Sequence, residues 1–111
     1  MSVQQWSEDV LVARLTDDPQ LSEDMNEVGD RLRGGKCDVV LDLSDLRLLT
    51  SSGISRLLRL RKHMIESNRT LMLCSLQDRV WGVFLATGLD SIFTFAATVS
   101  EALAQIQSGK K

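Results

Sequence analysis

The stretch 39–64, VVLDLSDLRLLTSSGISRLLRLRKHM, decides the architecture. It opens on Val39, Val40 and Leu41, three apolar residues in succession, which suits a central strand flanked by neighbours. The strand is expected over 37–43, and the aspartates that follow mark a turn. From residue 52 the apolar positions change period. At about 100° per residue, Ile54, Leu57, Leu58, Leu60, Met64 and Ile65 share one broad arc. Ser55, Arg56, Arg59, Lys62, His63 and Glu66 fill the opposite side. This predicts a helix over 52–66 that lays its leucine-rich arc, Leu58 included, on a sheet, with Asn68 as a cap after it. Arg61 falls inside the apolar arc, where its stem is expected to snorkel towards the sheet edge.

The same alternation continues outward. Residues 69–74 (RTLMLC) read as a strand, and 77–86 as a short helix closed by Gly88. Ser91–Phe95 reads as a short strand, and Val99–Gln107 as a helix using Val99, Leu103 and Ile106. Upstream, residues 9–16 (DVLVARLT) read as a strand broken by Asp17-Asp18-Pro19. Leu21, Met25, Val28 and Leu32 then recur at helical spacing over 20–33, and Gly34-Gly35 supplies the stop. Residues 2–6 add a short edge strand. Strands alternating with helices pair in parallel through right-handed crossovers. The expected class is α/β, with a small mixed, mostly parallel sheet.

Composition bounds the function. The chain has 111 residues, 43% of them apolar and 25% charged, with a formal net charge of −2. That length suits one domain, 1–111 with its core at about 9–107, burying roughly two-thirds of its unfolded surface. The charge gives no basis for direct nucleic-acid binding. No apolar run nears the roughly 18 residues that a membrane span needs, so no membrane insertion is expected. Met1-Ser2-Val3-Gln4-Gln5-Trp6 resembles no signal peptide, so a cytoplasmic location is expected. One proline and seven scattered glycines leave no linker, and only Ser108–Lys111 reads as a frayed tail.

Catalytic chemistry finds few materials. Cys37 opens one strand and Cys74 closes another, which in parallel strands separates them by ~15–20 Å. A disulfide needs α-carbons within about 7 Å, so both thiols are expected to be reduced. His63 is the single histidine, which excludes a histidine-cluster metal site; a Ser-His-Asp triad would have to use it, yet it falls on the polar side of its helix among Arg and Lys. The glycine-rich phosphate cradles are absent. Asp17-Asp18 and the Asp42/Asp45 pair fall in turns, and Trp81 with Phe84 suits packing of a helix on the sheet. No enzyme, cofactor or metal is expected.

The loop before the long helix carries more. Thr50-Ser51-Ser52 followed by Gly53 is an N-capping signature, because a hydroxyl there accepts N–H groups that the first turn leaves unpaired. A helix N-terminus also accommodates added negative charge. A phosphoserine there adds close to two charges without melting the helix. Gly53 is expected to leave the backbone uncovered for a partner's active site. The adjoining face of Arg56, Arg59, Lys62 and His63 on an acidic chain suits docking of an acidic partner.

These residues resemble the signature of the STAS domain family, whose founding members are bacterial anti-sigma factor antagonists. The likeness runs on through RTLMLCSLQDRVWGVFLATGLDSIF, with Thr87-Gly88-Leu89 as its T-G-L segment, and covers about 9–107. It implies a small sheet with helices packed on one side. It also implies that Ser51, with Ser52 and Thr50 as alternatives, is phosphorylated by an anti-sigma factor with serine kinase activity. The unphosphorylated protein then binds that factor and frees a sigma factor, and a phosphatase resets the switch. Thr50, Ser51, Ser52, Gly53, Arg56, Arg59, Lys62 and His63 are the implied partner surface. Other members suggest a stressosome-like scaffold or the soluble subunit of a lipid or anion transporter as the alternative. Two departures stand out. Thr50 replaces the family's aspartate, and Thr16-Asp17-Asp18-Pro19 replaces its G-x-[LI]-D turn, leaving open which of Asp17 and Asp18 supplies the carboxylate.

Overall fold

The computed structural model describes residues 3–33 and 36–108. The elements run β1 (Val3–Ser7), β2 (Val10–Thr16), α1 (Gln20–Arg33), β3 (Asp38–Asp45), α2 (Ser51–Glu66), β4 (Leu71–Cys74), α3 (Asp78–Thr87), β5 (Thr94–Ala96) and α4 (Val99–Ser108). The five strands lie in sequence order. β1 is antiparallel to β2, and the other three pairings are parallel. The mixed, mostly parallel sheet is therefore as expected. Gly34-Gly35, residue 2 of the edge strand and the tail beyond Ser108 lie outside the described residues.

The last strand starts later than its composition suggests. Gly88 adopts a left-handed conformation, φ 76°, that glycine reaches without strain. The chain then tightens into a 3-10 turn over Leu89–Ser91. The Ile92 and Phe93 amides both donate to the Leu89 carbonyl. These local bonds claim residues 89–93, so only Thr94–Ala96 pair with β4.

Both faces of the sheet are apolar at its centre, and this decides the layers. Val39, Leu41 and Leu73 join Leu21, Val28, Leu57, Val80 and Phe84 in the main core, under α1, α2 and α3. Val40, Met72 and Cys74 point the other way and meet Ala102 and Ile106 of α4. One-sided packing thus holds for three helices, while α4 covers the back. Two stacked layers follow from alternation along β3 and β4, where neither face is polar enough to stay wet.

Helix α2 buries a narrower stripe than its apolar arc. Leu57, Leu60 and Met64 are buried, but Leu58 is 37% exposed and Ile65 56% exposed. The expectation that Leu58 packs on the sheet is corrected. It lies one residue, about 100°, round from Leu57, on the flank shared with Arg61 and Ile65. Arg61 does reach the sheet edge, its Nε donating to the Ile92 carbonyl at 3.0 Å. On α3, Trp81 stacks edge-on against Phe95 at 5.0 Å and Phe84 against Phe93 at 5.7 Å, fixing that helix to the sheet.

The two sulfurs are free and buried. Cys74 pairs in register with Asp42, five residues beyond Cys37 along the parallel direction. Burial pushes the Cys74 thiol up to about 11. At the opposite end of the sheet from Ser51, Arg69 Nε sits 3.2 Å from the buried Asp38 carboxylate, which also accepts from the Thr70 amide.

Candidate functional site

The parallel strands β2 and β3 end side by side, with Thr16 in register with Asp45. Their exit loops meet where α2 begins. Leu46 and Leu49 are buried and anchor the second loop, while Arg47 and Leu48 face outward. One carboxylate joins the loops. Asp17 Oδ1 accepts from the backbone amides of Arg47 at 2.8 Å and Leu48 at 3.1 Å. Its Oδ2 lies 3.5 Å from Arg47 Nε. The Arg47 amide above all holds the Asp17 carboxyl below its ordinary 3.8, with the Leu48 amide and the guanidinium adding to it against partial desolvation. Asp18 turns the other way and accepts from the Ser22 amide and hydroxyl in α1. The carboxylate at this loop junction is therefore Asp17.

Thr50 is the N-cap of α2, its Oγ1 accepting from the Gly53 amide at 3.1 Å. Threonine thus caps the helix with a hydroxyl and adds no charge beside Ser51. Ser51 and Ser52 are the first two helical residues, and both are exposed. Gly53 departs from expectation because it is buried. A β-carbon there would meet Leu21 Cδ2 and Leu49 Cδ1, each at 3.2 Å. Gly53 lets the first turn of α2 close onto α1 and the loop, and it offers no surface to a partner.

The basic residues follow on the same helix. By helical rotation, Ser51 heads the row Ser55, Leu58 and Lys62, and Ser52 heads the row Arg56, Arg59 and His63. Arg59, Lys62 and His63 are exposed, whereas Arg56 is half-buried. Arg56 Nη1 donates to Asn26 Oδ1 on α1 at 3.4 Å. Between the second row and α1 lies a groove of about 290 Å³. Met25, Leu32 and Leu60 supply apolar walls, and Arg56, Arg59 and His63 line one side.

The structure leaves Ser51, Ser52, Arg59, Lys62 and His63 exposed on α2, turns the half-buried Thr50 and Arg56 towards the Gly53 amide and α1, and buries Gly53. Sequence reasoning missed Leu48, 59% exposed and three residues from Ser51. It also missed the Asp17–Arg47 tie and the groove. In Leu46-Arg47-Leu48-Leu49 no period distinguishes the inward leucines from the outward one. Among the described residues, no group of three metal-binding side chains occurs. No described helix is long and apolar enough to cross a membrane.

The STAS domain model aligns with residues 5–102, which run from β1 through β5 and include the capped, serine-bearing helix. The chain belongs to the STAS domain family. Solved structures with the same fold include a Thermotoga maritima protein described as an anti-sigma factor antagonist. It is 24% identical and covers 93% of this chain and 92% of its own, with a TM-score of 0.81. A STAS domain protein from Planctomyces limnophilus is 21% identical, with 95% and 96% covered and a TM-score of 0.78. The anti-sigma factor antagonist SpoIIAA in its unphosphorylated form is 18% identical, with 98% and 97% covered and a TM-score of 0.82. No curated protein sequence matches the chain significantly.

Proposed function

We propose that the protein is an anti-sigma factor antagonist, a binding protein without enzymatic activity, switched by phosphorylation of Ser51. The observation that carries this reading is the exposed Ser51 hydroxyl directly after the Thr50 cap. Thr50 already satisfies the Gly53 amide, so the Ser51 oxygen is not needed to hold the helix. Phosphate at this position meets the positive end of α2 and leaves the domain folded. In an interface it acts oppositely, because a dianion matched to no counter-ion resists desolvation. Arg56, Arg59, Lys62 and His63 supply the electrostatic attraction to an acidic anti-sigma factor with serine kinase activity, and a phosphatase removes the phosphate. The fold family of SpoIIAA supports the same assignment.

The test is incubation with ATP and an anti-sigma factor that has serine kinase activity, followed by peptide mass spectrometry. One phosphate on Ser51, absent from Ser51→Ala, is expected. Arg56→Glu with Arg59→Glu should abolish capture of that kinase while circular dichroism stays unchanged, and binding should weaken with salt. Phosphate on Ser52 or Thr50 moves the acceptor. No phosphate together with salt-independent binding overturns the assignment and favours the scaffold or transporter reading.

A further inference from the structure

The groove between α1 and α2 has a composition that the basic face of α2 alone does not explain. Its floor is apolar, formed by Met25, Leu32 and Leu60. Every ionisable side chain lining it is basic, namely Arg33 from α1 and Arg56, Arg59 and His63 from α2. Arg33 is paired with Asp30, yet neither Arg59 nor His63 forms an ion pair among the described residues. Arg56 Nε is buried without a hydrogen-bond acceptor. Such a donor is costly to leave unmet, and on the open side of the groove Arg59 and His63 stand exposed for an incoming acceptor.

Gly29 opens the groove on the α1 side. It is an exposed glycine inside a helix, where glycine is the least favoured residue after proline. Nothing lies within 4 Å of where its β-carbon would be, so the fold does not require glycine there. A side chain at this position would project into the groove that Gly29 lines. The volume, about 290 Å³, lies at the floor of the range that encloses free small molecules. It suits one or two side chains of a larger partner.

The geometry points to a docking trough for an acidic segment of a protein partner, in which one apolar side chain seats on Met25, Leu32 and Leu60 while flanking carboxylates meet Arg56, Arg59 and His63. This deepens the reading of α2 as a partner surface and rests on it. The trough supplies what surface charge does not, a register. Charges steer the approach, and a buried apolar anchor fixes where the partner stops. The trough runs along α2 from its second turn, on the same helix whose first residue is Ser51.

The test uses fluorescein-labelled helical 14-mers rich in glutamate that carry Leu, Phe, Met or Ser at a single central position. Anisotropy titration and ¹H–¹⁵N chemical-shift mapping are read on the full chain. The apolar-anchored peptides should bind with shifts centred on Met25, Gly29, Leu60 and His63, and the Ser peptide at least tenfold more weakly. Gly29→Leu, which fills the groove from an open position, should cut binding at least tenfold while the helix content stays the same. Absence of binding by all four peptides, equal binding by Gly29→Leu, or shifts centred on Leu58 and Ile65 would overturn the trough. Its failure is separable from that of the switch: phosphorylation of Ser51 with no peptide binding removes only the trough, and peptide binding without phosphorylation removes only the switch.

Discussion

Asp17 shows how much a single carboxylate organises here. It reaches across 30 residues of chain to hold two consecutive amides of the loop before Ser51. Its folded-state pKa lies below 3.8, so its contribution is fully present above that pH and drains away as the pH falls through the lowered folded value. Asp17→Asn should therefore be less stable than the parent at pH 7, and the difference should shrink below about pH 4. Urea denaturation at pH 7 and at a pH below 3.8 checks this; a difference that grows on acidification contradicts it. The sequence alone left Asp17 and Asp18 equivalent, since adjacent identical side chains are separated only by what each touches after folding. Gly53 teaches the converse. Its place after three hydroxyls was legible, but whether a glycine serves an opening or a close approach depends on Leu21 and Leu49, one of them distant in sequence.

At the scale of elements, α2 separates what periodicity tells from what it does not. The helix and its inward side were legible from residues 52–66. The width of the buried stripe was not, because Leu57 and Leu58 are alike in hydrophobicity and only the neighbours decide which is covered. Leu57 is 3% exposed and Leu58 37%. Leu57→Ala should cost about 2–5 kcal/mol, Leu58→Ala less than half the Leu57 loss, and Arg59→Ala no more than about 0.5 kcal/mol. Chemical denaturation of the three variants is the check, and equal losses at 57 and 58 would place the helix in another rotation. The 3-10 turn at Leu89–Ser91 escaped for a related reason. Ser-Ile-Phe-Thr-Phe has strand composition throughout, and local hydrogen bonds after Gly88 outcompete the ladder for its first residues.

The whole molecule is a sheet with a thick front layer of α1, α2 and α3 and a thin back layer of α4. Strand and helix order emerged from the sequence because each apolar run had one clear period. The back layer was not read from the sequence, where helices were expected on one side; Val40 and Met72 show that side to be apolar only once α4 is seen on them. This layering sets the proposed switch apart from the core. Ser51 and the basic row stand on the outer side of the front layer, so charge added there leaves the sheet's packing untouched. Calorimetric titration of the proposed anti-sigma factor kinase with the protein, phosphorylated on Ser51 and unphosphorylated, tests that claim most directly. At least tenfold weaker binding by the phosphorylated form, about 1.4 kcal/mol, with an unchanged circular dichroism spectrum is the result expected. Equal affinity of the two folded forms would contradict it.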